Sequence, residues 1–302
     1  MTEKKLILGT AMWGWSVQKD LAFSILDGFY EAGHRFIDTA TNYPINKDPA
    51  YFKYAESVLS EWIRLRKPQS LSIIMKIGSL SNDGAPTNDL SPDFIANSAK
   101  VYKELFGPNL HAICIHWDNR DDPILIKSSL EALLAATAAP TIWLSGIKNP
   151  EAYNQAVSGM DCRFNIQVKH NLFYSDISRY QPLHGRSAFY AYGINAGGVG
   201  ASREYAPNSS ARLRGIDIAK YETRIDKLKE VVRRSEASGS GVSTLNELAL
   251  LQAQATENVK GIIIGPANKE QLAQTLSFFQ RLERDGAKEA YGKIIRDLNF
   301  VS

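Results

Sequence analysis

The stretch GHRFIDTATNYP, residues 33–44, decides how this chain is read. A glycine able to close a helix precedes the apolar pair Phe36 and Ile37. The short run then ends on Asp38 and Thr39, and Tyr43 stands in the polar loop beyond. Short apolar runs bounded by turn signals are the mark of buried strands, so Asp38 falls at a strand end. The same arrangement recurs twice. LSIIMKI, residues 71–77, carries Lys76 near its end, and LHAICIHW, residues 110–117, carries His116 near its end.

Outward from these three segments, strand and helix signals alternate. Before them, KLILGT at residues 5–10 reads as a strand. The run 21–32 reads as a helix, with Asp20 at its N-cap and Gly33 just past its end. Helices are expected over 55–66 and from Ser91, where Ser91, Pro92 and Asp93 combine a cap, a helix-start proline and a first-turn acid, with Gly107 as the stop. After 110–117 come a helix at 124–139, a strand at 141–147, a helix from Pro150 and strands at 164–171 and 188–193. Helices at 220–237 and 244–255 follow, the second opened by a Thr244/Glu247 capping box. The strand GIIIG at 261–265, a helix at 269–284 and a last helix ending near Leu298 complete the series.

Eight short apolar strands separated by helices predict a closed (β/α)8 TIM barrel of parallel strands with an extra C-terminal helix. No G-x-G-x-x-G follows the first strand, and GTAMWG at 9–14 is at most a degenerate form of it, so an open dinucleotide-binding sheet is disfavoured. No internal repeat or composition break divides the chain, which reads as one barrel domain over residues 1–302. With 302 residues and 44% apolar content it can bury a large core without disulfides. Cys114 and Cys162 lack metal-ligand spacing and read as small core residues, which suits a reducing compartment. A net charge of +3, with scattered Lys and Arg, gives no stripe for nucleic acid. No apolar stretch reaches signal-peptide or membrane-spanning form, and a cytoplasmic location is expected.

In such barrels the active site lies at the C-terminal rim of the strands. Asp38, Lys76 and His116 at consecutive strand ends, with Tyr43 beside them, form a set whose burial needs a reason, because an unpaired buried charge costs several kcal/mol, roughly. A reaction that protonates an oxygen needs a positioned proton donor, and a tyrosine with a pKa of about 10 is a poor acid at neutral pH. A neighbouring ammonium corrects this. Lys76 favours the Tyr43 phenolate, Asp38 holds Lys76 charged and in place, and His116 offers a well-placed N–H that orients the same oxygen.

GHRFIDTATNYP, AESVL, MKI and ICIHW resemble the aldo-keto reductase superfamily, and LSGIKNPEAYNQAV, FNIQVKHNLF and IIIGPANKEQLAQTL continue the likeness in order along nearly the whole chain. The resemblance implies a nicotinamide hydride donor, NADP(H) or NAD(H), since no side chain supplies a hydride. It places Asn149 and Gln167 on the carboxamide and Tyr192 against the ring. Gly9, Thr10 and Ala11 line the cofactor, and the loop backbone at 197–200, with Gly197 and Gly198, lies toward its phosphates together with Gly265, Lys269 and Gln271. The chain departs from the pattern at Lys148, where relatives often have Ser, and at Pro44, where Gly is common. It also has a longer loop, INKDPAYFKY, and Gln271 where relatives selective for the phosphorylated cofactor often have Arg.

The substrate is expected to be a small-molecule carbonyl, an aldehyde or ketone, with Trp13 and Trp117 as pocket walls and a sugar-like compound in range. Asn42, Asn119 and Arg120 add hydrogen-bonding capacity near the rim. Neither a nucleic-acid nor a membrane partner is expected; the oligomeric state is left open by the sequence, a monomer being compatible with it. Two other functions compete: a cofactor-binding regulatory or redox-sensing protein of the same fold, and a barrel lyase or isomerase using Lys76 as a Schiff base.

Overall fold

A computed structural model describes residues 4–85, 87–198, 212, 217–239, 241–285 and 287–301. Eight parallel strands make the ring: β1 (Lys5–Gly9), β2 (Phe36–Ala40), β3 (Ser72–Ile77), β4 (Leu110–His116), β5 (Thr141–Ser145), β6 (Arg163–Asn171), β8 (Ser187–Tyr192) and β9 (Val259–Ile264). Pairing of β5 with β6 closes it, so the protein is the TIM barrel expected. A ninth strand, β7 (Tyr174–Ser175), pairs antiparallel with β6 outside the ring.

Alternation along each strand sorts the side chains into two cores. Ile7, Ile74, Cys114, Trp143, Tyr190 and Ile263 form a separate buried cluster, the filling of the barrel. Their neighbours Leu6, Leu8, Ile73, Met75, Ile113, Ile115, Ile142 and Leu144 belong to the larger core against the helices. The filling is tight: a Cβ on Gly261 would lie 2.6 Å from the Tyr190 ring, and Tyr190 packs on Trp143 at 4.5 Å. The middle of the barrel is therefore solid, and polar inward positions are left for its ends.

Among the described residues the main helices are α1 (Lys19–Glu31), α2 (Tyr54–Arg66), α3 (Pro92–Phe106), α4 (Pro123–Thr137), α5 (Pro150–Ala156), α6 (Glu222–Ala237), α7 (Leu245–Ala255), α8 (Lys269–Asp285) and α9 (Ala287–Val301). Ser91 caps α3 by accepting from the Phe94 N–H, and Gly107 ends that helix as its sequence signals require. Asp20 lies in the first turn of α1, whose N-cap is Gln18. The Thr244 hydroxyl accepts from the Glu247 N–H, but the Glu247 carboxylate reaches one residue further back, to the Ser243 N–H. Between β6 and β8 no α-helix forms; a 3-10 stretch, Ile177–Arg186, takes its place. Pro182 lies inside it, and its missing N–H and its ring are incompatible with a regular α-helix there. No helix among the described residues is long and apolar enough to cross a membrane.

Candidate active site

Strand register brings the predicted residues together before any side chain is considered. Ala40 pairs with Lys76, Lys76 with Cys114, His116 with Ser145, and Ser145 with Gln167. Paired residues of parallel strands point the same way, and Cys114 points inward, so Asp38, Lys76, His116, Ser145 and Gln167 all face the lumen near the C-terminal strand ends. All five are buried, Lys76 to 1% exposure.

The Lys76 ammonium donates to Asp38 Oδ2 in a buried ion pair. Burial pushes Lys76 toward neutrality, but the Asp38 carboxylate beside it outweighs this, with help from Tyr43, and holds its pKa above that of an ordinary lysine. Lys76 is therefore an ammonium at any physiological pH. The Cys114 thiol beneath is pushed up by burial and stays a thiol. Lys76 Nζ lies 4.7 Å from the centre of the Tyr43 ring, and that ring stands edge-on to His116 with centres 6.3 Å apart.

Tyr43 sits on a pinned loop. Its N–H donates to the Ala40 carbonyl, its own carbonyl accepts from the Ala55 N–H at the start of α2, and the Ile45 N–H donates to the Ala11 carbonyl. The Tyr43–Pro44 peptide is cis. The longer loop that follows is ordered by a 3-10 turn, Pro49–Tyr51, capped by Asp48.

His116 is neutral: burial first, and then the Lys76 charge, push its pKa well below the usual histidine range. Its Nδ1 is buried without a partner. A buried N–H left unpaired is rarer than an under-satisfied acceptor, which favours the tautomer with the proton on Nε2. Behind His116, Trp117 adopts φ +58° and packs on the imidazole at 5.1 Å. Its carbonyl accepts from Asn88 Nδ2 at 2.5 Å, and its N–H donates to the Ser145 carbonyl. Gly146 makes room for the indole: a Cβ there would lie 2.6 Å from Trp117 Cδ1, and its φ is +71°.

The loop after β4 is held by a buried acid that the sequence did not single out. Asp118 is fully buried, accepts from the Tyr153 hydroxyl at 2.6 Å and pairs with Arg120 at 2.8 Å. Arg120 also donates to Ser129, so it braces the loop instead of offering hydrogen bonds at the rim. The Asn149 amide nitrogen donates to the carbonyls of Asn119 and Arg120. Gln167 uses its amide nitrogen on Asp38 Oδ1, at 2.5 Å. Both amide oxygens are left as acceptors.

The other residues expected around the cofactor are more dispersed. Thr10 is buried and donates to Thr39 and to the Asp38 carbonyl, tying β1 to β2 beside Gly9 and Ala11. Tyr192 ends β8, half-buried against the barrel filling. Gly197 and Gly198 follow in a turn with φ of +79° and +89°; residues 199 and 200, expected to continue that cradle, lie outside the described residues. Gly265 is exposed just past β9. Gln271 closes the start of α8, its side chain accepting from the Ala267 N–H while Asn268 accepts from the Gln271 N–H.

Lys269 lines a cleft of about 400 Å³ between α1 and α8, with Asp27 and Glu31. The Asp27 carboxyl is held low chiefly by its hydrogen bond from Arg66, and in smaller part by the Lys269 charge. Trp13 corrects an expectation: it is 2% exposed and packed in the main core, bridged to Val17, because the loop after β1 folds back on itself. It forms no open wall.

Among known proteins, the model of the Aldo/keto reductase family matches residues 5–288. A Saccharomyces cerevisiae protein named "Putative aryl-alcohol dehydrogenase AAD6" is 41% identical over 59 residues, which are 20% of this chain. The match spans about a quarter of that relative, 24% of its length.

Proposed function

The chain belongs to the aldo/keto reductase family, and on that premise we propose that it reduces an aldehyde or ketone to an alcohol at the expense of a reduced nicotinamide, NADPH or NADH. The observation that carries this reading is the buried Asp38–Lys76 ion pair beneath Tyr43, with neutral His116 beside it.

A nicotinamide, when bound, would supply the hydride that a carbonyl carbon requires. Tyr43 gives its hydroxyl proton to the carbonyl oxygen, and the Lys76 ammonium stabilises the phenolate left behind. Asp38 keeps Lys76 charged and fixed. His116 donates from Nε2 to the same oxygen, steadying the negative charge that develops there without itself changing charge. The acceptor oxygens of Asn149 and Gln167 suit the NH2 of a carboxamide, and the half-buried Tyr192 ring suits the face of a nicotinamide. Trp117 walls the substrate side. Because Lys76 is held protonated by Asp38, it is a poor amine nucleophile, and Schiff-base chemistry is disfavoured.

The test is a fluorescence titration with NADH and NADPH, followed by turnover on a panel of sugar and aromatic carbonyls, with Tyr43→Phe as the control. Cofactor binding with carbonyl-dependent oxidation that Tyr43→Phe abolishes is the expected result. Binding without turnover on any carbonyl would favour a regulatory role.

A further inference from the structure

β2 and β6 stand opposite each other in the ring of eight strands, yet Gln167 and Asp38 meet. Gln167 reaches across the lumen and gives its amide nitrogen to Asp38 Oδ1, while Lys76 takes Oδ2. The result is a buried row, Gln167, Asp38 and Lys76, lying under Tyr43 and His116.

A carboxylate held by one oxygen can rotate about its Cβ–Cγ bond; held by both, it cannot. The Gln167 N–H therefore fixes the plane in which Asp38 meets Lys76. It also draws negative charge toward Oδ1, away from the ammonium, so that Lys76 keeps more of its field for Tyr43. The ionisable groups facing Lys76 are Asp38 from β2, Tyr43 from the following loop, and Cys114 and His116 from β4. Cys114 stays a thiol and His116 a neutral imidazole, which leaves Tyr43 as the partner whose ionisation responds to the pair.

We propose that Gln167 is a positioning residue for proton delivery: through Asp38 it directs the charge of Lys76 at Tyr43, a role distinct from any contact it makes with the cofactor. This rests on the reading of Tyr43 as the proton donor.

The first readout follows the tyrosine directly and needs neither cofactor nor substrate; turnover and cofactor affinity are measured beside it. Phenolate absorbance near 295 nm is followed against pH for the full chain and for its Tyr43→Phe variant, and the difference is the titration of Tyr43. The same pair of measurements is then made in Gln167→Met, which keeps the side-chain volume but has no donor. Gln167→Asn keeps an amide one methylene too short, and serves if the methionine variant fails to fold. The expected result is an upward move of the Tyr43 midpoint by about half a pH unit or more in either variant, matched by the same move in the pH profile of turnover. Lys76→Met serves as the reference. If Lys76→Met moves the midpoint and neither Gln167 variant does, the inference about Gln167 is overturned while the proton-donor reading survives. If Lys76→Met leaves the midpoint in place as well, the proton-donor reading itself falls. A loss of cofactor affinity of tenfold or so with an unmoved midpoint assigns Gln167 to the carboxamide alone, and also overturns the proposal.

Discussion

On the arc of the rim formed by β2, β3 and β4, the candidate residues are buried side chains in a single electrostatic unit: Asp38 holds Lys76, Lys76 lies under Tyr43, and Tyr43 faces His116. On the arc from β5 round to β9 the candidates are amides, a tyrosine, a lysine and glycines, and most of their polar atoms serve the protein. Asn149 braces a loop, Gln271 and Asn268 close a helix, and Lys269 lies beside two carboxylates. The first arc is a set of buried groups whose charges depend on one another. On the proposed reading the second is a cradle, in which backbone shape does much of the holding and single side chains count for less.

That contrast can be broken most easily at Lys76. Replacing it with Met leaves the Asp38 carboxylate buried without its cation, and urea unfolding should show a loss of about 3–5 kcal/mol; adding Asp38→Asn should restore a good part of it. Equal stability in the single variant would mean that the first arc is not an electrostatic unit.

Tyr43→Phe keeps the ring and removes the proton. Turnover should fall by at least about 10²-fold while cofactor affinity, read by fluorescence, hardly changes. If reduction stays near normal, His116 becomes the proton donor to examine.

Acid probes both arcs at once. His116 on β4 and His170 on β6 are buried and neutral, their pKa values pushed down by burial and secondarily by Lys76 and Lys4, His170 to about 4. A histidine whose folded pKa is lowered contributes stability above its unfolded pKa and loses it as pH falls toward the folded value. Stability should therefore be level above pH 7. Below about 6.5 it should fall by up to about 1.4 kcal/mol per pH unit for each histidine. Lys76 adds no slope in this range, since it is charged in both the folded and unfolded states. His170→Asn should make the decline shallower; an unchanged slope would put the lost protons elsewhere.

The smallest effects belong to the second arc. Gln271→Ala should cost about 1 kcal/mol as a lost helix-start bond, and leave cofactor affinity within about twofold. Lys269→Ala should change the ratio of NADPH to NADH affinity by less than about threefold, because its charge acts on Asp27 across the cleft they share. A larger change in that ratio would show that Lys269 reads the adenosine phosphate and would blur the contrast between the arcs.

The first arc was legible in the sequence because strand ends announce themselves. A titratable residue closing an apolar run has few places to go, and Asp38, Lys76 and His116 each had that form. What the sequence hid was contact across the barrel. Gln167 lies 129 residues from Asp38, and only closure of the ring brings them together. Asp118 looked like one more loop acid, since nothing in the run DNRDD marks the residue that Tyr153 will cover. Trp13 was misplaced for the opposite reason: an aromatic ring in a rim loop can turn outward to line a pocket or inward to fill space, and its sequence neighbourhood is the same in both cases. The 3-10 stretch before β8 carried its signal in Pro182, which excludes an α-helix without saying what replaces it.

The contact between Trp117 and Gly146 imposes an order on how this rim can change. Position 146 is closed twice over, by a backbone angle that side chains resist and by an indole occupying the space a Cβ would need. A side chain at 146 requires Trp117 to shift, whereas Trp117 can shrink while Gly146 stays. A change that brings a side chain to 146 is therefore best tolerated after position 117 has been made smaller. Variants that differ at 146 should accordingly carry a smaller residue at 117, and the two sites should behave as one epistatic unit, with the damage of the second change depending on whether the first has been made.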